Sequence, residues 1–110
     1  MPHGGRIINI ASRAFLGAPR QALYASAKAA VVTLTRCMAL DLSDRGISVN
    51  AISPGLIETP MTDALPPERR AAIQRRIPVV ALLAGSGGGY INGANILVDA
   101  GRSLGGGMAL

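Results

Sequence analysis

Apolar positions fall into three short, nearly continuous runs and one long periodic stretch. Arg6 to Ser12, Ile47 to Ser53 and Asn95 to Asp99 are rich in β-branched or aliphatic residues, as strands buried on both faces of a parallel sheet are. From Gln21 to Asp44, Leu23, Ala27, Ala30, Val31, Leu34, Met38 and Leu42 recur at spacings of three and four. That period predicts one long helix with this stripe toward the core, stopped by Gly46. Arg13 to Arg20, with Gly17 and Pro19, reads as a loop.

Strand, long helix, strand is a βαβ unit, so the first two strands should pair in parallel beneath a crossover helix. Pro54-Gly55 cannot extend a ladder and predicts a turn after the second strand. Met61 to Arg76 reads as a shorter helix with Pro66 and Pro67 at its start, Val79 to Ala84 as a turn or two of helix, and Gly101 onward as a tail. The order is β-α-β-α-β. The expected fold is therefore α/β: a partial Rossmann-like fold with a three-stranded parallel sheet, one long crossover helix, a short lid helix and a shortened last helix.

Composition narrows the partners. With 110 residues, 49% hydrophobic and 15% charged, the chain can collapse into one domain. Cys37 stands alone, which excludes an intramolecular disulfide framework and a multi-cysteine zinc site; a reducing, cytoplasmic setting is expected. Pro78, the glycines from Gly85 and Asn92-Gly93 interrupt the most apolar late stretch, so no membrane span is expected. The net charge of +5 raises nucleic acid as a partner. Only Arg69, Arg70, Arg75 and Arg76 cluster, however, and Phe15, Tyr24 and Tyr90 lie elsewhere. Cations without interleaved aromatics read as a solvated helix face, and nucleic-acid binding is not expected.

Candidate chemistry starts with Tyr24 and Lys28, four apart and so on one helix face. Alone, the pair reads as a core-margin tyrosine and a solvated lysine. Ser12 changes that reading, because it closes the preceding strand at the carboxyl edge of the sheet, where open α/β folds bind ligands; its ordinary role there is to cap a turn. Pro54 to Pro60 leaves the second strand at the same edge and offers backbone N–H groups and the Thr59 hydroxyl.

Ser12, Tyr24-Ala-Ser-Ala-Lys28, Ser48-Val-Asn-Ala-Ile-Ser-Pro-Gly55, Thr59 and Tyr90-Ile-Asn-Gly-Ala-Asn-Ile-Leu-Val-Asp-Ala-Gly101, in that order, resemble the C-terminal half of short-chain dehydrogenase/reductases. The resemblance implies an oxidoreductase that moves hydride between NAD or NADP and a small alcohol or carbonyl substrate. Tyr24 would be the general acid or base, Lys28 would tune it and hold the nicotinamide ribose, and Ser12 would orient the substrate oxygen. Tyr24, Lys28, Pro54, Gly55, Ile57 and Thr59 would contact the cofactor, and no metal is implied. Residues 1–101 would form the C-terminal half of a Rossmann-like oxidoreductase domain, and 102–110 a flexible tail. The glycine-x-glycine-x-x-glycine turn of the family's first half occurs nowhere in the chain. The first strand would then show an open edge, so a homo-oligomer, or association through that edge and the long helix, is expected. The alternative is a non-catalytic remnant that pairs with a full-length relative.

Overall fold

The computed structural model describes residues 4–55 and 76–99, the last segment by backbone alone at 76 and 77. The elements in chain order are β1 (Gly5–Ile10), α1 (Ala22–Leu42), β2 (Ile47–Pro54), α2 (Arg76–Ala84) and β3 (Asn95–Val98). All strands pair in parallel in the order β1-β2-β3, with Ile10 opposite Ile52 and Ile52 opposite Ile96. All eight residues of β2 are buried, so it is the sheet's centre, whereas β1 is only half-buried.

Side chains alternate across a strand, and the two helices use that alternation. Ile7, Ile47 and Val49 meet Met38, Ala39 and Leu42 of α1. Arg6 leaves β1 on the opposite face and donates from Nε to the Gly85 carbonyl, 3.4 Å away, just past the end of α2. Val49, Ile52 and Leu83 are fully buried, each worth roughly 1.5–3 kcal/mol of transfer free energy.

The chain between α2 and β3 is tied to β2 by asparagines. Asn50 donates from Nδ2 to the Ile91 carbonyl (2.9 Å) and accepts from the Ala94 N–H at Oδ1 (3.0 Å). The Val49 N–H donates to Asn92 Oδ1 at 2.9 Å, and Ser53 Oγ donates to Asn95 Oδ1 at 2.7 Å. Gly93 completes the turn at φ +76, a left-handed conformation that favours glycine.

Four expectations change. The stripe assigned to the core of α1 is turned outward in part: Leu23 is 89% exposed and Leu34 53%, while Thr35 and Ala39 are buried. Arg13 to Arg20 is not wholly loop, because Arg13–Leu16 forms a 3-10 turn capped by Ser12. Pro54 ends β2 rather than following it; it lies opposite Val98, and the next N–H, that of Gly55, makes the closing bond to Val98 at 3.2 Å. The last helix runs nine residues, longer than a turn or two, because Pro78 lies in its first turn, where a missing N–H costs nothing. The lid helix expected over 61–76 lies outside the described residues except for Arg76, and the 102–110 tail lies wholly outside them. Among the described residues no helix is long and apolar enough to cross a membrane.

Candidate active site

Ser12 stands two residues beyond β1, in extended backbone at φ −160, ψ 148. Its short hydroxyl reaches forward, and Oγ accepts from the Ala14 N–H at 3.1 Å, the geometry that makes serine a favoured N-cap. Gly17 closes the turn with an N–H to the Ala14 carbonyl at 2.8 Å. Ser12 is only 3% exposed. The cap uses one oxygen lone pair and leaves the O–H as a donor.

Tyr24 and Lys28 occupy the first two turns of α1. The Lys28 ammonium lies 5.8 Å from the Tyr24 ring centroid, within the range of a cation–π contact. It also donates to the Ile10 carbonyl at 3.1 Å. The direction of that carbonyl follows from the ladder. The Ala11 N–H bonds Ile52 at 2.8 Å, so by alternation Ile10 turns its N–H and C=O away from β2, toward the outer edge of β1. Lys28 thus ties the start of α1 to the end of β1 with one of its three ammonium hydrogens.

Tyr24 is 36% exposed, beside an open depression lined by Ala18, Arg20, Gln21, Leu23 and Tyr24. Among the described residues no hydrogen bond joins Ser12 to Tyr24 or Lys28. Their association runs through Ile10, which precedes Ser12 by two residues and holds Lys28. At the neighbouring strand end, a Cβ on Gly55 would come within 2.6 Å of the Asp99 Cβ, so only glycine lets β2 and β3 close there. Ile57 and Thr59 lie outside the described residues.

Two contributors escaped the sequence reading. The Ile10 carbonyl is a backbone group with no side-chain signature. Asn9 donates from Nδ2 to Thr35 Oγ1 at 3.0 Å, and that hydroxyl donates on to the Val31 carbonyl at 2.8 Å. A polar residue inside each apolar run was the available signal.

A family model described as Enoyl-(Acyl carrier protein) reductase matches residues 1–103. Similar to this chain is BbsD of Thauera aromatica, a (2S)-((R)-hydroxy(phenyl)methyl)succinyl-CoA dehydrogenase subunit: 44% identical over 112 residues, covering 91% of this chain and 45% of the relative. The 3-oxoacyl-(acyl-carrier-protein) reductase FabG of Rickettsia bellii is 40% identical over 113 residues, 91% of this chain and 47% of the relative. A solved short-chain dehydrogenase/reductase of Serratia marcescens, in a mutant form, superposes with a TM-score of 0.77 at 37% identity, over 94% of this chain and 47% of the other. The chain spans about half the length of the relatives it matches. With a family match over nearly its whole length and a parallel fold shared with a solved member, the chain belongs to the short-chain dehydrogenase/reductases.

Proposed function

We propose that the chain carries the oxygen-handling half of a nicotinamide-dependent oxidoreductase site, acting on a small alcohol or carbonyl compound. The observation that carries this reading is the double engagement of Lys28, bonded to Ile10 at 3.1 Å and 5.8 Å from the Tyr24 ring. It gathers a phenol, an ammonium and, two residues from Ile10, a serine hydroxyl at the carboxyl edge of a parallel sheet, the edge where such folds take ligands.

The donor set fits a nicotinamide nucleotide, NAD or NADP. Beyond the bond to Ile10, Lys28 keeps two ammonium hydrogens for a ribose diol, and Pro54 and Gly55, with Ile57 and Thr59, would border the nicotinamide. Bound there, the cofactor donates or accepts the hydride. In the reductive direction the Tyr24 hydroxyl gives its proton to the substrate oxygen, and the Lys28 cation stabilises the phenolate that remains. The Ser12 O–H donates to the same oxygen, its own oxygen steadied by Ala14. In the oxidative direction the Tyr24 phenolate takes the proton back from the substrate hydroxyl, while Ser12 keeps its hydrogen bond to that oxygen.

Leu23 and Leu34 stand exposed on one face of α1, and among the described residues β1 is an edge strand, so self-association would use the outer edge of β1 and this helix face.

The test is a chimera in which residues 1–101 replace the matching half of a full-length 3-oxoacyl-(acyl-carrier-protein) reductase. The chimera should reduce a 3-oxoacyl thioester with NADH or NADPH, and Tyr24→Phe should remove turnover while the protein stays folded by circular dichroism. A folded chimera without turnover, or one indifferent to Tyr24→Phe, contradicts the proposal.

A further inference from the structure

The rotation of α1 about its axis is not dictated by apolar content. Leu23, Ala27, Ala30, Leu34 and Cys37 form a stripe at spacings of four and three, and all five are exposed. The face turned to the sheet carries Lys28, Val31, Thr35, Met38, Ala39 and Leu42, with a cation and a hydroxyl among them. A turn of about 100°, one residue's worth of helix, would bury Leu34 in place of Thr35 and carry Lys28 away from β1.

We propose that Asn9 and Thr35 are positioning residues that select the face of α1 packed on the sheet, and so bring Lys28 to the Ile10 carbonyl and Tyr24 to the rim beside Ser12. Thr35 is 1% exposed, and its hydroxyl both accepts from Asn9 (3.0 Å) and donates to Val31 (2.8 Å). Turning the helix leaves Thr35 its own-helix carbonyl but strips the part-buried Asn9 amide of its partner. A buried donor left unpaired is penalised well beyond the net worth of its bond, so the penalty falls on the wrong rotation. Lys28 and Thr35 lie two turns apart, and their partners Ile10 and Asn9 are adjacent. These two attachments fix rotation and axial register together.

The catalytic meaning of this inference rests on the proposed function; its geometry does not. Lys28 is the only lysine and Cys37 the only cysteine, and they face opposite ways, so each reports rotation. In the 110-residue chain, Thr35→Val and Asn9→Leu should each speed acylation of Lys28 by about fivefold, the population change that one net hydrogen bond commands, and slow thiol labelling of Cys37. Thr35→Ser should restore both rates. Unfolding would instead speed Lys28 without protecting Cys37. Unchanged rates in both variants, or faster acylation of Lys28 with no slowing of Cys37 labelling in both, overturn the proposal. In a turnover-competent chimera Thr35→Val should lower kcat with little change in KM, and Thr35→Ser should recover it. An inactive parent chimera would count against the proposed function, while the opposed labelling rates would still decide this inference.

Discussion

Asn50→Ala tests the clasp that ties the middle of β2 to the chain entering β3. Asn50 is 1% exposed and makes two bonds to the chain between α2 and β3, to the Ile91 carbonyl and from the Ala94 N–H, at 2.9 and 3.0 Å. The substitution leaves one acceptor and one donor unpaired, at about 1–3 kcal/mol each, for about 4 kcal/mol in all. A single domain has about 5–15 kcal/mol in total, so the loss is a large share of it. Thermal unfolding followed by circular dichroism should show a midpoint lowered by more than about 10 °C, since 1 kcal/mol moves a domain of this size by about 4–8 °C. Asn50→Asp sharpens the test. It keeps an acceptor for Ala94 but sets a carboxylate against the Ile91 carbonyl. Protonation restores the lost donor, so the folded state raises this carboxyl's pKa and binds more protons than the unfolded chain. By linkage the variant's stability relative to the parent should then rise as pH falls through the carboxylate range. A midpoint within about 2 °C of the parent for Asn50→Ala, where about 4 kcal/mol is expected, would show that these two bonds do not hold the connection.

Gly55→Ala should destabilise by about 1–3 kcal/mol, because its Cβ would meet Asp99 at 2.6 Å; urea midpoints measure this, and an unchanged midpoint would show that the strand ends can separate freely. Ser12→Ala should cost about 1 kcal/mol through the lost cap and, in the chimera, lower kcat; a melting curve paired with initial rates separates the two losses. Leu23→Glu, at a position 89% exposed, should weaken self-association in sedimentation velocity without changing the circular dichroism spectrum. A sedimentation profile identical to the parent's would remove α1 from the proposed interface.

The strands were legible because continuous β-branched runs such as Arg6-Ile-Ile-Asn-Ile and Ile47-Ser-Val-Asn-Ala-Ile have few other uses in a chain this apolar. The length of α1 was legible for the same kind of reason, from its period of three and four. Its buried face was not. Leucines mark a core only when nothing polar competes, and here the Asn9–Thr35 bond and the Lys28–Ile10 bond set the rotation while Leu23 and Leu34 face outward. The cap at Ser12 was legible as an ordinary serine role, but the 3-10 turn after it was obscured by Gly17 and Pro19. Asn50 and Asn92 sit in or beside strands, where propensity counts asparagine as unfavourable. Their side chains supply backbone partners that no residue-by-residue scale can show. The pairing of Tyr24 with Lys28 followed from helix spacing; the tether to Ile10 required the ladder, since only the pairing with β2 tells which way a carbonyl points.

The proposed site gathers Ser12, Tyr24 and Lys28 at one rim around a nicotinamide nucleotide. A crystal structure of the full-length chimera with NADP and a substrate analogue would show whether they meet there. The Lys28 ammonium should lie within hydrogen-bond distance of the nicotinamide ribose, with the Tyr24 and Ser12 hydroxyls both on the analogue's reacting oxygen. A nucleotide bound elsewhere, or a reacting oxygen touched by neither hydroxyl, would rule this site out.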